Sequence, residues 1–101
     1  MLVSTTTFVR PSTSVDFFTV SDEATANFNT KFLSTGKVFE RSSTVSPDGL
    51  TLTLINKYIS KAAFEEFLAD PVSIAMKEAR LLYSVANNIS IEYHGEETLP
   101  A

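Results

Sequence analysis

Residues 46–60, SPDGLTLTLINKYIS, decide the fold. Ser46-Pro47-Asp48-Gly49 places Pro at the second position of a turn and Gly where a positive φ is wanted, which closes a hairpin. Beyond the turn the chain alternates: Leu50, Leu52, Leu54, Asn56 and Tyr58 share one strand face, and Thr51, Thr53, Ile55, Lys57 and Ile59 share the other. The first set is predicted to face the core. Asn56 interrupts its apolar run, and a buried amide must find hydrogen-bond partners.

Working outward, residues 37–45 also have period two and form the other arm of the hairpin. Upstream, the β-branched run 2–9 is a strand stopped by Arg10-Pro11. Residues 12–19 form an extended crossover or a short helical turn. Val20, Ala24, Phe28 and Phe32 then recur every four residues behind Ser21, with Gly36 following, which predicts a helix capped by Ser21 and closed by Gly36. Downstream, Ser60 caps a short helix carrying Phe64, Phe67 and Leu68. Asp70-Pro71 restarts it, with Asp as N-cap and Pro at the first helical position. This second segment runs to about Asn87, and Ile89, Ile91 and Tyr93 alternate as a last strand before Gly95. Its predicted core stripe is Val72, Ala75, Met76, Ala79, Leu82, Tyr83 and Ala86. Ile74, Leu81 and Val85 fall on the opposite side, where a second contact is expected with the short helix, the tail through Leu99, or another subunit, with plain exposure as the alternative.

The order strand, helix, strand, strand, helix, strand is that of a split β-α-β unit. It predicts an α+β, ferredoxin-like β-α-β-β-α-β domain over residues 1–95, with a four-stranded antiparallel sheet, a second helix broken near Asp70 and a polar tail over 96–101. Both helices lie on one sheet face. The other carries Thr51, Thr53, Ile55 and Ile59, and a half-apolar bare face calls for a cover, simplest in a second copy of the chain.

Composition narrows the function classes. The chain has 101 residues, 44% of them hydrophobic, and a net charge of -4 with its eight Lys and Arg scattered singly. That scatter offers no footprint for nucleic acid and no polybasic patch for a membrane. No apolar run nears the roughly 18 residues of a membrane span, and no secretion signal is read, so the expected compartment is the cytoplasm. The absence of Cys excludes disulfides and thiolate chemistry, and a lone His makes a metal site an unexpected one. No cofactor motif is present.

The run Ser46-Pro47-Asp48-Gly49-Leu50, Leu54, Asn56, Tyr58-Ile59-Ser60, Ala63-Phe64, Asp70-Pro71 and Tyr83 resembles the dimeric α/β-barrel superfamily, in its branch similar to antibiotic-biosynthesis monooxygenases. The resemblance covers about residues 36 to 94. It implies a homodimer whose two sheets share a barrel, with a pocket between each sheet and its helices. Some relatives are cofactor-independent oxygenases, some degrade haem and others are isomerases. Many relatives carry Trp where this chain has Tyr58 and His where it has Phe67, and the haem-degrading constellation of Asn, Trp and His is reduced to its Asn.

The candidate pocket residues are Asn56, Tyr58, Arg80, Tyr83 and His94. Asn56 and Tyr58 could orient a carbonyl or phenol, with backbone bonding of Asn56 as the alternative. Arg80, one turn before Tyr83, is within reach of a ligand carboxylate, and the expectation is an ordinary surface pair. His94 shares a strand face with Ser90 and Glu92, where it could act as a base beside an acid, and the expectation is plain exposure. Glu65 and Glu66 point about 100° apart on a helix and form a solvated face rather than a catalytic pair. The resulting expectation is a homodimeric barrel with a non-catalytic binding or assembly role and its pocket filled by Phe side chains. The alternative is a monooxygenase-like or isomerase-like enzyme acting on a small aromatic ligand, marked by an open pocket of roughly 300 Å³ or more.

Overall fold

The hairpin turn forms as its residues demand. Ser46 Oγ bonds Asp48 Oδ1 at 2.5 Å, Asp48 Oδ1 accepts from Leu50 N at 3.0 Å, and Gly49 takes φ +76°. The hydroxyl of Ser46 and the amide of Leu50 hold the Asp48 carboxyl below its ordinary range. The computed structural model describes residues 1–97. Its elements are β1 (Leu2–Val9), α1 (Asp22–Phe28), β2 (Val38–Val45), β3 (Thr51–Tyr58), α2 (Lys61–Ala69), α3 (Pro71–Ala86) and β4 (Ser90–Glu97). The sheet order is β2-β3-β1-β4, every pair antiparallel. This is the ferredoxin-like α+β fold, with the second helix broken at Asp70 and β4 running on past Gly95 to Glu97.

Each helix starts on its predicted cap. Ser21 Oγ accepts from Ala24 N, Ser60 Oγ from Ala63 N and Asp70 Oδ2 from Ser73 N, at 3.0 to 3.2 Å. After Phe28 the first helix widens into a π-helical turn, Asn29–Leu33, before Gly36 at φ +75°. The wider turn suits the four-residue spacing, so Ala24, Phe28 and Phe32 are all buried.

The core sits at one end of the slab. Leu2, Val38 and Tyr58 from the sheet meet Phe28, Phe32, Ala63 and Phe67 from the helices. Phe67 packs edge-on against Phe28 and Phe32 at 5.7 and 5.6 Å, and Tyr58 against Phe64 at 5.1 Å. The molecule is 17 Å thick in its shortest direction, one sheet plus one helical layer. The sheet face away from the helices is therefore bare within the chain. Strand alternation puts Thr51, Thr53 and Ile55 on it, beside Thr5 and Thr7 of β1. Ile59 lies one residue past the end of β3 and is exposed.

Helix α3 departs from the sequence expectation. Leu82 is 73% exposed, and Ile74, Leu81 and Val85 are exposed as well, while Ser73, Arg80 and Ser84 are buried. The helix is turned by about a third of a turn from the stripe that hydrophobicity predicted. Its ends impose that rotation. At the N-terminus Asp70 accepts from Asn27 Nδ2 at 2.8 Å, Lys31 Nζ at 2.6 Å and Ser73 Oγ at 2.9 Å. At the C-terminus buried Ile89 donates its amide to Ser84 O at 2.8 Å, and Tyr83 Oη donates to Asp16 O at 2.7 Å. The second contact expected for Ile74, Leu81 and Val85 is not made with the short helix, and Leu99 lies outside the described residues.

Candidate functional site

Where the inner face of α3 crosses β1 and β4, the two layers do not close on each other. Between them is a cavity of about 270 Å³. The Phe side chains expected to fill this space instead wall it: Phe28, Phe64 and Phe67 are in its lining, Phe28 packing on Phe67 and Phe64 on Tyr58. Ring-to-ring contact holds them out of the cavity, because each already has an aromatic partner to bury against. The sheet contributes a polar floor, Ser4 and Thr6 of β1 beside Asn56 of β3.

Arg80 is the residue that most changes meaning. Expected in a surface pair, it is 91% buried, lines the cavity, and stacks its guanidinium over the Phe8 ring at 5.1 Å. Its Nε has no hydrogen-bond partner among the described residues, and it takes part in none of their ion pairs. Burying a cation without a partner costs several kcal/mol in a folded protein. Ser84, one turn further on the same face, is buried with an unpartnered hydroxyl too.

Asn56 bonds to a side chain, not to backbone: its Oδ1 accepts from Arg41 Nε at 3.1 Å. That bond assigns the amide, leaving Nδ2 as the donor. Arg41 reaches this position through a bulge. In the β2–β3 ladder Val38 pairs with Tyr58 and Glu40 with Lys57, so Phe39 is the extra residue. The inserted residue reverses the alternation, and Val38 and Arg41 both face the helices. Arg41 then stacks on Phe28 of α1 at 4.3 Å.

Tyr58 lines the cavity from the core, where burial pushes its phenol up to about 12 against the opposing pull of Arg41 and an Asn56 hydrogen bond. At neutral pH it is a proton donor, not a base. His94 borders the cavity at the β4 edge, but alternation turns its ring to the bare sheet face, level with Thr5. Tyr83 is not in the lining. It packs on Phe18 at 5.7 Å and fastens the crossover segment to α3 through Asp16. Asn56, Tyr58 and Arg80 are thus brought together, His94 is at the rim and Tyr83 is elsewhere.

Sequence reasoning missed Arg41 and Lys77. Lys77 lines the cavity and lies over the Tyr93 ring at 5.0 Å. Its spacing from Arg80 put it on the same helix face and was the available signal, whereas nothing in the alternation of residues 37–45 marks the bulge that turns Arg41 inward. Arg41, Lys77 and Arg80 give the cavity three cations, and no Asp or Glu lines it among the described residues. In a chain of net charge -4 this is a local inversion of sign.

No protein-family model and no curated protein sequence matches the chain. Solved structures do match over its full length, several of them antibiotic-biosynthesis monooxygenases or oxygenases and one a hydroxynitrile lyase from Passiflora edulis. A Deinococcus radiodurans protein carrying that family name superposes with a TM-score of 0.61 at 13% identity, over 100% of this chain and 95% of the other. A Streptomyces coelicolor monooxygenase in complex with nanaomycin D gives 0.58 at 16% identity, over 99% and 92%. A cofactor-independent oxygenase from Streptomyces nogalater gives 0.55 at 12%, over 99% and 94%. At these identities the likeness establishes the fold, and the reaction must be argued from the site.

Proposed function

We propose that the cavity binds a flat aromatic ligand in its anionic form and that the protein oxygenates it without a bound cofactor. The observation that carries this reading is Arg80, a buried guanidinium in an aromatic-walled cavity with no carboxylate among the described residues to pair with it. An anionic ligand supplies the missing partner and shields the charge. Beside Arg80 a bound phenol ionises more readily, since an opposite charge within a few ångströms lowers a phenol's pKa. The phenolate is electron-rich. Addition of dioxygen at a ring C–H carbon gives a hydroperoxide, whose loss of water leaves a ring carbonyl, so one oxygen atom enters the product and the other leaves as water. The oxygenase chemistry named for the Streptomyces nogalater and Streptomyces coelicolor proteins supports this route on a shared fold.

A second reading has its own observation. The cavity lining holds no carboxylate among the described residues, and Tyr58 is kept protonated, so no side chain in it is placed as a general base. A binding role without turnover fits that lining. Calorimetric titration with 2-naphthoate and the neutral 2-naphthamide, followed by dioxygen consumption with hydroxynaphthoates, separates the cases. The naphthoate should bind through Arg80 and the amide weakly, and hydroxynaphthoates should consume oxygen. Binding without consumption selects the non-catalytic role, and equal binding of acid and amide overturns both. The working unit is read as a homodimer formed by the bare sheet face, which leaves the cavity on the helical side accessible.

A further inference from the structure

We infer that the ligand of this cavity is an elongated aromatic dianion, with one acidic group met by Arg80 and Lys77 and a second, at the opposite end, met by Arg41. The inference rests on the reading of the cavity as an anion site and adds the second acid. Three observations carry it.

The first is how the chain disposes of its cations. Lys31, Lys37 and Lys57 are paired with the carboxylates of Asp70, Glu66 and Glu40, and Arg10 is spent on the backbone carbonyls of Gly49 and Val15. Arg41, Lys77 and Arg80 have no carboxylate among the described residues, and each rests on an aromatic face instead. Of the four Lys and Arg left unpaired among the described residues, three line the cavity and the fourth, Lys61, is exposed at the start of α2.

The second is where they stand. Arg80 lies over Phe8 of β1, whereas Arg41 is on β2, two strands away in the order β2-β3-β1-β4. Two strand spacings are about 10 Å, so the charges sit at opposite sides of the cavity and one acidic group cannot pair with both. Arg80 is buried and Arg41 exposed, and an anionic group placed near each relieves their mutual repulsion. The third is that Arg41 is held in position. The bulge at Phe39 turns it inward, Phe28 supports its guanidinium plane, and Asn56 takes its Nε. Its two terminal nitrogens have no partner among the described residues, and they form the edge that grips a carboxylate.

Calorimetric titration with naphthalene-2,6-dicarboxylate and 2-naphthoate tests this in wild type, Arg41→Gln, Arg41→Lys and Arg80→Met. The diacid should bind about tenfold more tightly than the monoacid, in line with one added charge-assisted contact. Arg41→Gln should bring that ratio to within about twofold of unity, and Arg41→Lys should keep part of the advantage. Added salt should weaken the diacid more steeply than the monoacid. An Arg80-dependent monoacid with no diacid advantage, or an advantage that survives Arg41→Gln, overturns the second site and leaves the first standing. Failure of both acids to bind, or their indifference to Arg80→Met, sinks the anion site itself. Arg41 is exposed, and matching thermal melts establish that its variants are folded.

Discussion

Replacing Arg80 by Met removes a buried, unpaired charge and leaves its aliphatic bulk over Phe8. A buried ionic group without a partner is a burden on the folded state, so the melting temperature of Arg80→Met should equal or exceed that of wild type while binding of 2-naphthoate falls at least about tenfold. A variant that loses both stability and binding would mean that Arg80 has a structural partner. Ser84→Ala belongs to the same scale. Its hydroxyl is buried without a hydrogen bond, so the substitution should cost less than about 0.5 kcal/mol in urea melts despite a site only 1% exposed. Tyr58 makes a spectroscopic prediction. Burial raises its phenol to about 12, so Tyr58→Phe should erase a component near that pH from the phenolate absorbance titration. Because the folded pKa lies above the unfolded value of about 10, stability should decline from pH 10 to about 12 through this group, and less so in Tyr58→Phe.

At the scale of elements, Asp70 ties α1 to the break between α2 and α3. Burial alone would raise its pKa, but Lys31, the Ser73 amide, Asn27 and the Ser73 hydroxyl outweigh it and hold the carboxyl well below the ordinary range. A carboxyl depressed on folding stabilises the protein above its unfolded pKa of about 4, and that contribution is lost as pH falls below it. Asp70→Ala should therefore cost about 2–4 kcal/mol at pH 7, and the penalty should shrink in urea melts carried down to pH 3. An undiminished penalty would remove the ion pair from the account and leave only the cap. The same anchoring sets the rotation of α3. With Leu81 and Leu82 exposed within the chain, Leu82→Ser should cost under about 0.5 kcal/mol, although its hydropathy marks it as core.

For the whole molecule the decisive feature is the two-layer build. Helices cover one face of the sheet and leave Thr5, Thr7, Thr51, Thr53 and Ile55 bare within the chain. In the proposed homodimer a second copy covers that face, closing a barrel and leaving the cavity clear of the interface. Wild type should have the mass of a dimer by light scattering, and Ile55→Glu, a charge at the middle of the face, should halve it. A monomeric wild type would refute the barrel. Among the described residues no helix is long and apolar enough to cross a membrane.

The turn at residues 46–49, the alternation of β3, the three caps and the break at Asp70-Pro71 were legible because they are local: each follows from φ preferences, side-chain hydrogen bonds or periodicity within a few residues. Asn56 and Tyr58 were legible for the same reason, as a polar residue and an aromatic on the core face of a strand. The rotation of α3 was not legible. Hydrophobicity favours the face with the most apolar residues, but the ends of the helix are fixed by Asn27, Lys31 and Asp16, which lie more than 35 residues away. The same is true of Arg41, whose direction depends on a bulge set by pairing with β3. The sequence thus determined which elements form and in what order they pair. Only tertiary structure decided that a cavity stays open between the layers and that three cations converge on it, because burial and charge separation are properties of distant segments brought together.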